Sequence, residues 1–117
     1  MFCQFDLEAE IAKAEEHRPW KNGLRSTVLV KNDNLRVILM AMEAEAKLDE
    51  HKTDGSITVH VLLGAIRMHV EGEWLTLEAG ALLSLPPALP HDVEALEESV
   101  FLLTIAFRAK LISSEPS

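Results

Sequence analysis

Histidine is the residue type in this chain best suited to chemistry, and two of its five histidines stand at defined points of predicted strands. His91 follows the stretch 80–90, in which a glycine opens a short apolar strand and prolines stop it. Prolines cannot donate to a sheet and therefore mark a strand end. His51 lies on an earlier strand, 47–52. Imidazole nitrogens bind divalent transition metals or line polar pockets, and both roles are open for His51 and His91.

His60 is a third candidate, and its role depends on the register of its strand. Strict alternation along the predicted strand 57–63 turns His60 to the face opposite Ile57. A bulge or a one-residue shift would turn it inward with Thr58. A three-histidine site of His51, His60 and His91 is one hypothesis. The other is that His60 is a hydrogen-bonded residue of the core.

Polar neighbours of these histidines have simpler predicted roles. Asp49 shares the face of His51 and is placed to hold its second ring nitrogen. Glu94 lies three residues after His91 and therefore points away from the face of that histidine. His69 is expected to face solvent, by alternation along its own strand.

The composition indicates one globular domain and limits its partners. The chain has 117 residues, of which 48% are hydrophobic, which excludes disorder. A formal charge of −8 opposes nucleic-acid binding. The single cysteine, Cys3, excludes an internal disulfide framework and suits a reducing compartment. No apolar run is long enough for a membrane span and no signal peptide is visible. The expectation is a cytoplasmic protein whose partner is a small molecule, not nucleic acid or a membrane.

Sequence periodicity predicts an all-β domain with a short N-terminal α-helix. Asp6 is a good N-cap for a helix over 7–16, in which Leu7, Ile11 and Ala14 form one stripe. After residue 23 the period changes to two. The predicted strands are 26–31, 35–43, 47–52, 57–63, 65–70, 74–77, 81–85, 91–95 and 100–108. Short strands with turns every eight to twelve residues are typical of a sandwich or barrel.

The order of landmarks between residues 35 and 106 resembles a small single-domain cupin of the cupin 2-like type. Gly80, Pro86 and His91 fall on the glycine, proline and histidine of the second cupin motif, whereas Ala88 stands where that motif has a second glycine. The stretch from 48 to 53, which contains His51, resembles the start of the first cupin motif. The resemblance implies a cupin-type double-stranded β-helix, a jelly-roll barrel.

The resemblance also implies a divalent transition metal (Zn, Ni, Fe, Mn or Cu) inside the barrel. Its ligands in full-motif cupins are a histidine–x–histidine pair, a glutamate or third histidine on the next strand, and the histidine of the second motif. In this chain those positions are His51, Thr53, Ile57 and His91, so two of the four are retained. His60 lies three residues past the third position and is the candidate replacement.

The predicted organisation is an N-terminal helical extension packed on the barrel (1–25), the barrel (26–112) and a frayed tail (113–117). The apolar strands 35–42 and 100–107 predict a homodimer, because so small a barrel would not bury that many outward apolar side chains alone.

Three functions stay open from the sequence. The first is a binding module with a small ligand, and a weakly held metal, inside the barrel. The second is a metal-dependent oxygenase or isomerase, and the third is a metal-free structural or interaction role. Whether the protein is an enzyme is left undecided. The expected pocket walls are Val59, Val61, Leu83, Val93 and Leu103.

Overall fold

The computed structural model describes residues 2–107, which form two antiparallel β-sheets and one short α-helix. The elements in chain order are α1 Leu7–Glu15, β1 Leu24–Lys31, β2 Leu35–Met42, β3 Lys47–His51, β4 Ser56–Leu63, β5 Ala65–Val70, β6 Glu73–Glu78, β7 Leu82–Leu85, β8 His91–Ala95 and β9 Ser99–Ala106. The all-β prediction with a short N-terminal helix is confirmed. The predicted tail, 113–117, and residue 108 of the last predicted strand lie outside the described residues.

The two sheets face each other and enclose the main core. The five-stranded sheet has the order β1-β2-β9-β4-β7, and the four-stranded sheet has the order β3-β8-β5-β6. Side chains alternate along each strand, so one face of each sheet is apolar and packs on the other sheet. The buried side chains of this core are Met40, Met42, Ile57, Val59, Val61, Ile66, Met68, Val70, Leu77, Leu85, Val93, Ala95, Phe101 and Ile105.

Helix α1 covers the outer face of the five-stranded sheet. Asp6 caps the helix by accepting a hydrogen bond from Glu8 N at 3.1 Å. Buried Trp20 lies beside the helix, and its Nε1 donates to Ala14 O at 2.8 Å. A second apolar cluster, outside the barrel, includes Ala14, Trp20, Leu39 and Val100. The chain thus covers part of its own outer apolar face, which was the reason for expecting a second subunit there.

The β4–β5 connection, which links the two sheets, approaches the backbone at Glu98 and Ser99 closely. Gly64 has φ 78°, and a Cβ at this position would collide with Glu98 O and with the Ser99 side chain. Ser99 is fully buried, and its hydroxyl oxygen accepts a hydrogen bond from Ala65 N at 3.0 Å. Glycine is therefore required at position 64 both by conformation and by space.

No helix within residues 2–107 is long and apolar enough to span a membrane.

Gly64→Ala is expected to destabilise the barrel more than Gly72→Ala. Both glycines are in the left-handed region, with φ 78° and 80°. Each substitution therefore carries a conformational cost of about 1–2 kcal/mol. A Cβ at Gly72 meets nothing within 4 Å, whereas one at Gly64 overlaps backbone atoms. Urea unfolding of the two variants measures the difference, and equal losses of stability would contradict the close approach at Gly64.

Candidate functional site

His51 and His91 lie together at one end of the four-stranded sheet. They are cross-strand partners, at the end of β3 and the start of β8. Their ring centroids are 4.3 Å apart, with an angle of 63° between the ring planes. The two histidines retained from the cupin positions are therefore in direct contact.

Both imidazoles are on the inner side of the sheet, for different local reasons. His91 alternates with Val93 and Ala95, which belong to the main core, and only 3% of His91 is exposed. His51 is three residues after inward Leu48, so strict alternation would turn it outward. The β3–β8 register shifts between Leu48 and His51, and the extra residue returns His51 to the inner side.

Main-chain carbonyls fix the orientation of both rings. His51 Nδ1 donates to Asp49 O at 2.9 Å, and His91 Nδ1 donates to Leu89 O at 3.0 Å. A carbonyl oxygen only accepts, so Nδ1 carries the proton in each neutral ring and Nε2 carries the lone pair. Asp49 does support His51, but through its main-chain oxygen and not through the predicted carboxylate.

Burial favours the uncharged form of His91. Desolvation lowers the pKa of His91 below its ordinary value of 6.5, and the hydrogen bond to the Leu89 carbonyl opposes this shift. The neighbouring His51 lowers the pKa further, whereas Asp92 raises it. The site therefore offers a neutral imidazole with an available lone pair at physiological pH.

Two loops surround this pair, and a hydrogen bond connects them. Loop 52–55 follows His51 and loop 86–90 precedes His91. Ala88 N donates to Thr53 O at 2.8 Å. Ala88, which occupies the position of the second motif's second glycine, has a left-handed φ of 66°. We call the region formed by these loops and the two histidines the histidine end of the barrel.

His60 lies on the other face of its strand. Ile57, Val59 and Val61 point into the main core, so His60 points outward, where its cross-strand partners are Leu82 and Leu102. The register shift in β4 comes after His60, between Val61 and Leu63. The inward orientation that an earlier bulge would produce is therefore absent, and the structure does not bring His60 to the other two histidines.

The two remaining cupin-motif positions carry no additional imidazole or carboxylate. Thr53 Oγ1 donates to Gly55 O at 3.0 Å, and Ile57 is buried in the core. Within residues 2–107 no group of three or more His, Cys, Asp or Glu side chains is placed to hold a metal ion. The residues expected to be pocket walls lie in the inner core or pack against it, and their role in lining a pocket stays a prediction: Val59, Val61, Leu83, Val93 and Leu103.

The outer face of the four-stranded sheet holds a separate polar group. Arg67 pairs with Glu94 at 2.6 Å and stacks over Trp74, with 4.2 Å from Cζ to the ring centroid. His69 also stacks on Trp74 and lies 3.4 Å from Asp92 Oδ1. The predicted outward orientation of Glu94 and His69 is confirmed, and both are directed away from the histidine end.

Sequence reasoning missed Arg36, which is on the inner face of β2. It pairs with Ile105 of β9, which is a core residue. Met40 and Met42 lie an even number of residues further along β2, and therefore on the same face, and both belong to the core. Counting back by twos from Met42 would have found it, but the apolar run in 35–43 concealed the alternation.

The stability of metal-free protein is expected to fall as the pH drops below about 6.5. Because the folded-state pKa of His91 is lowered, the unfolded chain binds a proton that the folded chain does not, over the range between the two pKa values. Above that range His91 is neutral in both states and adds no pH dependence. Urea unfolding of chelator-treated protein, from about pH 8 to about pH 5, measures the effect.

The control for this pH dependence is a pair of single variants. His91→Gln should weaken the dependence, whereas His17→Gln, at an exposed position, should retain it. An identical dependence in the parent protein and His91→Gln would mean that another group is responsible.

The comparisons with known proteins agree with this architecture. The sequence profile of the Cupin_2 family, described as a cupin domain, matches residues 38–106. A cupin superfamily protein from Desulfitobacterium hafniense has a similar structure, with a TM-score of 0.74 and 16% identity over 81% of this chain and 87% of its own. KdgF from a Halomonas species gives a TM-score of 0.70 and 21% identity, over 80% of this chain and 91% of its own.

A higher identity is found with a cupin 2 conserved barrel domain protein from Leptotrichia buccalis. It is 31% identical over 80% of this chain, with a TM-score of 0.72, but the match spans only 45% of that protein. None of the curated proteins matches the sequence. The family profile spans more than half of the chain, and the fold agrees: the protein is a member of the Cupin_2 family, with the jelly-roll barrel that its sequence predicted.

Proposed function

We propose that this cupin is a binding module that takes a small ligand at the histidine end of the barrel. The observation that carries the proposal is the contact between His51 and His91, two rings held by main-chain carbonyls at the same end of the barrel. Because each Nδ1 is already used, each Nε2 remains to accept a hydrogen bond or to bind a metal.

The surroundings suit a small, partly apolar ligand. Leu48, on the strand that ends at His51, and Leu89, two residues before His91, are partly buried against the main core. Ligand sites of this kind combine apolar walls with a few polar groups that fix orientation. The Nε2 lone pair of neutral His91 in such a setting favours a ligand that donates a hydrogen bond.

The donor set fits a loosely held divalent metal better than a resident one. His51 and His91 would supply two Nε2 ligands, whereas closed and catalytic zinc sites use three or four protein ligands. A metal held there would act as a Lewis acid on an oxygen of the ligand. Since Thr53 and Ile57 stand where cupins have further ligands, we place binding ahead of a metal-dependent oxygenase or isomerase.

Ligand binding at this site should depend on His91 and not on His60. A thermal-shift survey would expose the parent protein to Mn²⁺, Fe²⁺, Ni²⁺, Cu²⁺ and Zn²⁺ salts and to a panel of small organic acids, amides and alcohols. We expect at least one compound or metal to raise Tm in the parent. The increase should be lost in His91→Ala, because that change removes the buried imidazole.

The matched control for this survey is His60→Ala, since His60 lies outside the barrel on the same fold. It should respond like the parent. If a compound raises the Tm of His91→Ala as much as that of the parent, its binding site lies elsewhere in the protein. If nothing in the survey stabilised the parent, the metal-free structural or interaction role would take precedence.

The homodimer and the cytoplasmic location remain predictions. Although α1 covers part of the outer sheet face, Leu82 and Val28 on the edge strands are more than half exposed. Static light scattering at micromolar concentration should give about twice the chain mass of 13.0 kDa. A monomer mass would contradict the dimer.

A further inference from the structure

We propose that Arg36 anchors a carboxylate group of the ligand that the histidine end takes, an inference that rests on the proposed function. Arg36 lies on the inner face of the five-stranded sheet, and the histidine pair lies on the inner face of the other sheet. The two kinds of group would hold two parts of the same molecule.

The strand register places Arg36 at the histidine end. Arg36 pairs with Ile105, Ile105 with Ile57, and Ile57 with Leu85, so these four form one row across the sheet. Leu85 is separated from His91 only by loop 86–90, and Ile57 follows His51 after a short loop and one strand residue. The row that contains Arg36 is therefore the last inner row before the two loops that adjoin the histidines.

The side chain of Arg36 is partly buried, and its hydrogen bonding within residues 2–107 is incomplete. Its Nε is inaccessible to solvent and has no hydrogen-bond partner among residues 2–107. None of the ion pairs formed within those residues includes Arg36. Its Cζ lies 5.1 Å from the ring centroid of Phe107, which packs against the main core. A buried unsatisfied donor on a charged group costs free energy unless a ligand satisfies it.

A second cation stands directly beside Arg36. Lys31 of β1 is its cross-strand partner, so both side chains are on the same face of the sheet. Like charges placed directly opposite each other destabilise a strand pair. Lys31 is exposed, and an anion between the two cations would reduce their repulsion.

A carboxylate fits this position better than a polyanion. The planar guanidinium fork binds a carboxylate through two parallel hydrogen bonds. The chain as a whole has a charge of −8, which opposes a ligand with several negative charges. Facing sheets are about 10 Å apart, so a small organic acid with a hydrogen-bonding group at its other end is long enough to span from one sheet to the other.

Arg25 is a comparison residue on the outer face of the same sheet. Like Arg36 it has a buried Nε without a partner among residues 2–107. Arg25, however, pairs with Ala41, which belongs to the apolar cluster outside the barrel. An unpaired nitrogen on the outer face has no histidine pair opposite it, and Arg25 therefore provides the matched control.

The test is an NMR titration of the chelator-treated full chain with matched pairs of small molecules. The probes are acetate, butyrate, benzoate and succinate, each beside its uncharged primary amide, at constant ionic strength. The signals followed are the Nε–H of Arg36 and the ring resonances of His51 and His91. We expect a carboxylate to shift both groups of signals and its amide to shift neither. Arg36→Gln should weaken binding by about tenfold or more.

Further variants make the outcomes distinguishable. Arg36→Lys, which keeps the charge but loses the fork, should bind with intermediate affinity and also serves if Arg36→Gln does not fold. Arg25→Gln should bind like the parent. The inference about Arg36 is overturned, and the binding function retained, if amides bind as well as carboxylates or if Arg36→Gln binds normally while His91→Ala does not.

Two further outcomes bear on the identity of the anion and on the role of Arg36. Tighter binding of inorganic phosphate than of any carboxylate would overturn the assignment of the anion as a carboxylate. Failure of all these probes, together with a wider thermal-shift survey that stabilises nothing, would overturn both the role of Arg36 and the proposed function. If that survey finds a neutral ligand dependent on His91, only the role of Arg36 fails.

Discussion

The central position of strand β9 is the constraint on which the rest of the structure depends. It pairs with β2 on one side and with β4 on the other, so its alternation sets the inner and outer faces of all three strands. Phe101 and Ile105 point into the main core, whereas Val100 lies in the outer cluster beneath α1. The same pairing turns Arg36 inward and His60 outward. A slip of one residue in this register would exchange the two faces and remove the candidate site.

The fold was predictable because its signals are local or motif-based. Strand period, turn residues and the helix N-cap are each read within a few residues. The cupin resemblance placed His51 and His91 on two ligand positions of one site, and the structure adds that their rings are in contact. The bulge that turns His51 inward was not predictable, because it arises from the pairing of β3 with β8 and not from β3 alone. For His60, alternation gave the correct face and the alternative bulge gave the wrong one. Arg36 was missed because its strand is apolar at nearly every position, which hides which residues face inward.

The histidine end combines groups of different electrostatic character. Burial lowers the pKa of His91, while Arg36 presents a guanidinium on the inner face of the facing sheet. Neutral imidazoles accept hydrogen bonds or bind a metal, and a guanidinium only donates. The polar groups on the two inner faces therefore differ in hydrogen-bonding character at this end of the barrel.

Ala88 places a residue with a left-handed backbone conformation in the loop before His91. A residue with a Cβ in the left-handed region carries a conformational penalty of about 1–2 kcal/mol relative to glycine. The hydrogen bond from Ala88 N to Thr53 O ties this loop to the one after His51. This bond couples the segment that follows His51 to the segment that precedes His91. A coupling of this kind restricts the motion of both loops, so the two rings are ordered already in the folded chain.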